Sequence, residues 1–199
     1  IVRYDISQAL EVGIIKSVVV YEPEMKLLQL SYAHRKTGEK KDVTELDDEF
    51  EEAEKSVKPF QWILDPEPMK KMMAIALQRH KEQQARAKGR YKPILFVITM
   101  SIAEGEKAQK MLQERFKINT LLVTEESDEK DREEALKIGS FDSKYEAVVS
   151  VLMLREGWDV PEVSTILLLR KFSSPVYGQQ IIGRGLRKNI RDKPEAEIL

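Results

Sequence analysis

The sequence predicts an α/β fold: a parallel sheet with helices on both faces. Three observations predict it. Apolar, β-branched runs alternate with amphipathic helical stretches from residue 94 to residue 188. The run ILFVIT at 94–99 is apolar throughout, as a strand buried on both faces must be. The runs and helices follow one another in βαβα order, which belongs to parallel sheets. Right-handed crossovers then gather the loops that follow each strand on one edge of the sheet. Thr99, Thr124 and the 154–159 loop are expected to meet there.

The elements follow in order. Residues 5–13 read as a short helix with Ile6, Ala9 and Leu10 on one face and Gly13 as its stop. SVVVY at 17–21 is a strand, and 26–33 is a second. Lys36, Thr37, Gly38 and Glu39 signal a turn. Residues 39–54 hold nine carboxylates against two lysines and read as a solvated helix or loop. Asp48-Glu49-Phe50-Glu51 there imitates a magnesium-binding D-E-x-D motif, but it lacks the apolar strand that such a motif follows. The chain contains no G-x-x-x-x-G-K-[ST] phosphate loop either. A seam is expected at 59–68, dividing an accessory segment, 1–65, from the main domain, 66–199.

A long helix is predicted over 67–88. Met69, Met72, Met73, Ala76, Leu77 and His80 recur at helical spacing and face the core. The end of this helix is basic, from Arg79 to Lys92, which suits a helix C-terminus and also a nucleic-acid contact. After the strand at 94–99 come a helix at 103–115 with Ala108, Met111 and Leu112 inward, and a strand at 120–124. A helix at 128–137 turns Ala135 and Leu136 inward. Strands at 147–152 and 163–170 and a helix at 175–188 complete the pattern, and Ile198 begins a further strand.

Composition narrows the function classes. The chain has 199 residues, 42% hydrophobic and 34% charged, a globular profile. Its net charge of −1 means that any nucleic-acid surface is a local patch. The absence of cysteine excludes disulfides and cysteine–zinc sites. With His34 and His80 far apart, no metal site is expected. No apolar run approaches the ~20 residues that span a bilayer, so no membrane partner is expected. No signal peptide opens the chain, and a cytoplasmic location is the expectation. Ile1 is not a start residue, so the chain reads as part of a longer protein.

Two stretches carry chemistry. Arg155-Glu156-Gly157-Trp158-Asp159 follows an apolar run. In Gln180-Ile181-Ile182-Gly183-Arg184-Gly185-Leu186-Arg187, read as a helix, Gln180, Arg184 and Arg187 fall within an arc of roughly 60°. Ile182 and Leu186 lie on the opposite side and can pack on a sheet. Gly183 lets a ligand approach the backbone. Two guanidiniums one turn apart suit an anion with several oxygens, such as a nucleoside triphosphate. The plain alternative is a pair of solvated arginines with a packing glycine.

Together these stretches resemble motifs V and VI of superfamily 2 helicases. Gln180, Gly183, Arg184 and Arg187 match Q-x-x-G-R-x-x-R, and Gly157 and Asp159 match the G-x-D end of motif V. The wording LREGWDVPEV followed by IIGRGLR is most similar to the helicase subunit of type III restriction enzymes. It is also similar to the damage-recognition helicase of bacterial nucleotide excision repair. Thr99 followed by Ser101 resembles motif IV, whose hydroxyl and backbone amides contact a nucleic-acid phosphate; the plain reading is a threonine that ends a strand.

The resemblance implies a RecA-like second helicase lobe. Arg184 and Arg187 would be arginine fingers at the γ-phosphate of ATP. Gly157, Asp159, Gln180 and Gly183 would bind the nucleotide or couple it to nucleic acid. Thr99, Ser101, Thr124 and Ser150 would touch the nucleic-acid backbone. Many helicases carry a threonine six residues before the motif V glycine; here Val151 holds that position, and a one-residue shift gives the role to Ser150. ATP and Mg2+ would be held mainly by a first helicase lobe in the same chain. The partners implied are DNA, or RNA, and a methyltransferase or specificity subunit. An excision-repair helicase, an RNA helicase and a non-enzymatic α/β interaction module stand as alternatives.

Overall fold

The computed structural model describes residues 18–20, 29–44, 62–151, 160–169 and 196–198. Two sheets organise them. The larger has six strands in the order β1-β9-β8-β5-β7-β6, all parallel. Its strands are β1 (Val18–Val20), β5 (Ile94–Thr99), β6 (Thr120–Val123), β7 (Ala147–Val151), β8 (Val163–Leu168) and β9 (Ala196–Ile198). The smaller sheet is antiparallel in the order β3-β2-β4, with β2 (Gln29–His34), β3 (Lys40–Thr44) and β4 (Trp62–Leu64).

Strand alternation divides the core in two. Leu95 and Val97 of β5, Ala147 and Val149 of β7 and Leu167 of β8 face helices α1 (Pro66–Ala87) and α2 (Ile102–Lys110). Ile94, Phe96 and Ile98, with Val148 and Ile166, face the other way, toward Ala135 of α3 (Glu129–Leu136). The parallel sheet is therefore covered on both faces, as expected. All six residues of β5 are buried because each face of this central strand meets a layer.

Local chemistry starts and stops the helices. Asp65 caps α1 by accepting from the Glu67 amide, prolines occupy its first turn, and Lys88 ends it in the left-handed region at φ 49°. Met69, Met73, Ala76, Leu77 and His80 are buried along its inner face, as the spacing predicts. Asp128 caps α3 through a 2.8 Å bond from the Asp131 amide.

Three expectations are corrected. Leu136 is 54% exposed rather than inward, because the last turn of the short α3 buries Ala135 instead, and Ile138 beyond the helix fills the core. The helix expected over 103–115 widens after Lys110 into a π-type turn, Met111–Arg115. There the Phe116 amide reaches the Met111 carbonyl, and Gln109 and Gln113 both donate to the Thr120 carbonyl, at 3.1 and 3.0 Å. Part of the acidic stretch read as helix or loop is strand β3. A hairpin turn sets it: the Gly38 amide donates to the His34 carbonyl, the His34 amide donates to Glu39, and Gly38 takes φ 71°. Hairpin pairing outweighs composition at Lys40–Thr44.

Candidate functional site at the carboxyl edge of the sheet

Parallel pairing brings the ends of β5, β6 and β7 to one edge. Thr99 is level with Val151, and Val123 is level with Ser150. Thr124 follows Val123, so Thr99 and Thr124 flank β7 at about 10 Å, two strand spacings. The expected gathering of these loops is realised for the described strands. Gly157 and Asp159 lie outside the described residues, as do Gln180, Gly183, Arg184 and Arg187. The described chain reaches this edge at Val151, and Val160 resumes it, 4% exposed, in the core on the α3 side.

Thr99 and Ser101 form one compact turn. The Thr99 hydroxyl donates to the Ser101 carbonyl at 3.4 Å. Ser101 caps α2, its Oγ accepting from the Glu104 amide at 3.3 Å. Both hydroxyl groups are thus turned to internal work, and both residues are buried. Gly105 permits this closeness: a Cβ there would lie 2.8 Å from Val151 Cγ2, 3.0 Å from Leu122 Cδ1 and 3.4 Å from Thr99 Oγ1. The first-turn amides of a helix have no partner within the helix, and in α2 the Glu104 amide is taken by Ser101.

The other two hydroxyl candidates sit differently. Ser150 is buried, and alternation along β7 places it on the face opposite Thr99. Thr124 opens a turn: its amide donates to Ser127 Oγ at 2.9 Å, and its Oγ1 accepts from the Glu126 amide at 3.1 Å. Glu125 and Glu126 are exposed beside it, so a phosphate approaching Thr124 would meet like charge. The basic end of α1 leads into the amino end of β5, so Lys88 to Lys92 lie at the opposite edge of the sheet. There Lys92 Nζ donates to the Ser143 carbonyl at 2.5 Å.

A carboxylate that sequence reasoning passed over completes the turn. Glu104 is 1% exposed, and its two oxygens accept from the Leu64 amide at 3.1 Å and the Met100 amide at 3.3 Å. The signal was present: Ser101-Ile102-Ala103-Glu104 has the S-x-x-E spacing of a capping box. Among the described residues no group of three histidine, cysteine or acidic side chains could hold a metal ion, and no helix is long and apolar enough to cross a membrane. The fit for Mg2+ within the described part of this chain is therefore poor.

The fold and the edge agree with the family comparison. Residues 70–189 match the sequence profile of the helicase conserved C-terminal domain. The chain belongs to that family, and its parallel sheet is a RecA-like lobe. No curated protein sequence is significantly similar to the chain. Among solved structures, it is similar to Mss116p DEAD-box helicase domain 2 bound to an RNA duplex, at 17% identity and a TM-score of 0.47 over 64% of this chain and 47% of that one. It is also similar to a fragment of a putative HsdR subunit of a type I restriction enzyme from Vibrio vulnificus, at 16% identity and a TM-score of 0.45 over 67% and 27%. A third is the Sulfolobus solfataricus SWI2/SNF2 ATPase core in complex with dsDNA, at 10% identity and a TM-score of 0.43 over 62% and 25%. The chain covers less than half the length of each.

Proposed function

We propose that this chain is the second motor lobe of an ATP-dependent DNA helicase or translocase, of the kind found in type III restriction enzymes. The observation that carries the reading is the family match over 70–189, a span that takes in four strands of the parallel sheet, β5 to β8, and the Gly157-x-Asp159 and Gln180-to-Arg187 stretches.

The chemistry is phosphoryl transfer to water in a cleft between two lobes. Arg184 and Arg187 reach the γ-phosphate and neutralise charge that develops in the transition state. Gly157, Asp159, Gln180 and Gly183 contact the nucleotide and link it to the nucleic-acid side. Magnesium, which offsets phosphate charge when bound, belongs with the phosphate loop on the first lobe. The turn from Thr99 to Ser101 meets the nucleic-acid backbone through main-chain amides at the start of α2. Thr124 and Ser150 belong to the same proposed track, with weaker support from their surroundings. A methyltransferase or specificity subunit is the partner that this restriction role would bring. A repair helicase or an RNA-tracking lobe shares the same motifs, and a DNA-against-RNA stimulation assay separates the RNA-tracking lobe from the other two.

The test is ATP turnover by the full-length protein with and without single-stranded DNA, beside the 199-residue chain alone. The full-length protein is expected to turn over ATP faster with DNA present. The chain alone is expected to show none, for want of a phosphate loop. Turnover by the purified chain alone would overturn the lobe assignment.

A further inference from the structure

Edge strand β4 carries an open donor. The Asp65 amide turns inward to the Ser31 carbonyl of β2, so the Leu64 amide faces away from the small sheet. A buried strand amide without a partner is costly. Here the donor meets Glu104 Oε1 at 3.1 Å, forty residues further along the chain. The second oxygen of the same carboxylate takes the Met100 amide, in the middle of the β5–α2 turn. The Glu104 amide in turn donates to Ser101 Oγ. One side chain therefore fixes the turn from two directions and ties it to the small sheet. Its place in the first turn of α2 favours a negative group, and bonds from backbone amides to a carboxylate are among the strong ones.

We propose that Glu104 is a positioning residue for nucleic-acid binding. Its carboxylate holds the Thr99–Ser101 turn in the shape that meets the backbone phosphate, with β4 of the small sheet as the fixed second anchor. This rests on the reading of that turn as a nucleic-acid contact. A glutamine would fit the space but offers one acceptor oxygen and one amino group. It can satisfy Leu64 or Met100, and it sets donor against donor at the other.

The experiment uses the full-length protein and a single-stranded oligothymidylate probe followed by fluorescence anisotropy over a salt series. Wild type is compared with Glu104→Gln and with Leu112→Ala, a fully buried core leucine that does not belong to the turn. The expected result is an affinity about tenfold weaker for Glu104→Gln at every salt concentration, the scale of one hydrogen bond to a charged group, with the slope of log affinity against log salt unchanged because main-chain amides release no counterions. Leu112→Ala should lower the melting temperature and keep the wild-type affinity. An unchanged affinity in a folded Glu104→Gln protein would overturn the proposal. If that variant does not fold, amide exchange on the wild type decides: the probe should slow Leu64 and Met100 together, whereas Met100 alone, or neither, would overturn it. A wild-type affinity indifferent to salt would instead sink the nucleic-acid reading, and this inference with it.

Discussion

At the scale of single residues, His80 shows how burial sets chemistry. It lies 2% exposed between α1 and β8, with Nδ1 3.2 Å from Thr165 Oγ1. Burial lowers its pKa from 6.5 to about 4, because a charged imidazole loses its water there. The unfolded chain therefore takes up a proton that the folded chain refuses between those values. The contribution of this group to stability is complete above pH 6.5 and is lost as the pH falls toward 4, by up to about 3 kcal/mol. Chemical denaturation of wild type and His80→Gln across pH 4–7 checks this. The difference in stability between the two should shrink or reverse toward low pH, and parallel curves would show that His80 carries no proton-linked strain. Helical spacing marked His80 as inward; the same spacing marked Leu136 inward and was mistaken. The distinction is physical. His80 sits mid-helix over a wide sheet, whereas Leu136 lies in the last turn of an eight-residue helix where the buried stripe has already passed to Ala135.

At the scale of elements, the close seat of α2 on the sheet decides the shape of the candidate site. Gly105→Ala should gain about 1 kcal/mol of helix propensity. It would also place a methyl 2.8 Å from the short, branched Val151 side chain, which cannot swing away. Overpacking of this kind costs about 1–3 kcal/mol, so a net loss of stability is expected in a thermal melt. A neutral or raised melting temperature would mean that α2 shifts freely and that the Thr99–Ser101 turn is not held by packing. The helices and strands of 94–169 were legible in the sequence because each has one dominant cue: a continuous apolar strand or 3.6-residue spacing. Strand β3 was not, since its pairing with β2 depends on a turn and not on its own charged composition. Glu104 was missed for a related reason. Its second partner, Leu64, is distant in sequence, and only the packing of β4 against α2 reveals it. The arginine-bearing stretch was legible as a motif alone, through spacing that fits an anion.

At the scale of the whole molecule, a parallel sheet with its connections gathered at one edge suits a lobe that works against a second one. The described chain supplies rigid strands, a tightly held turn and the approach to the Gly157–Asp159 stretch. The proposed catalytic groups follow in Gln180 to Arg187. A motor lobe needs those arginines to act on the phosphate, beyond having the fold. Arg187→Ala in the full-length enzyme tests this most directly, with ATP turnover and a thermal melt measured side by side. kcat is expected to fall by about 10³-fold or more, KM to change less, lysine at the position to restore little, and the melting temperature to hold. Turnover that survives while the melt collapses would make the arginine structural and contradict the motor reading.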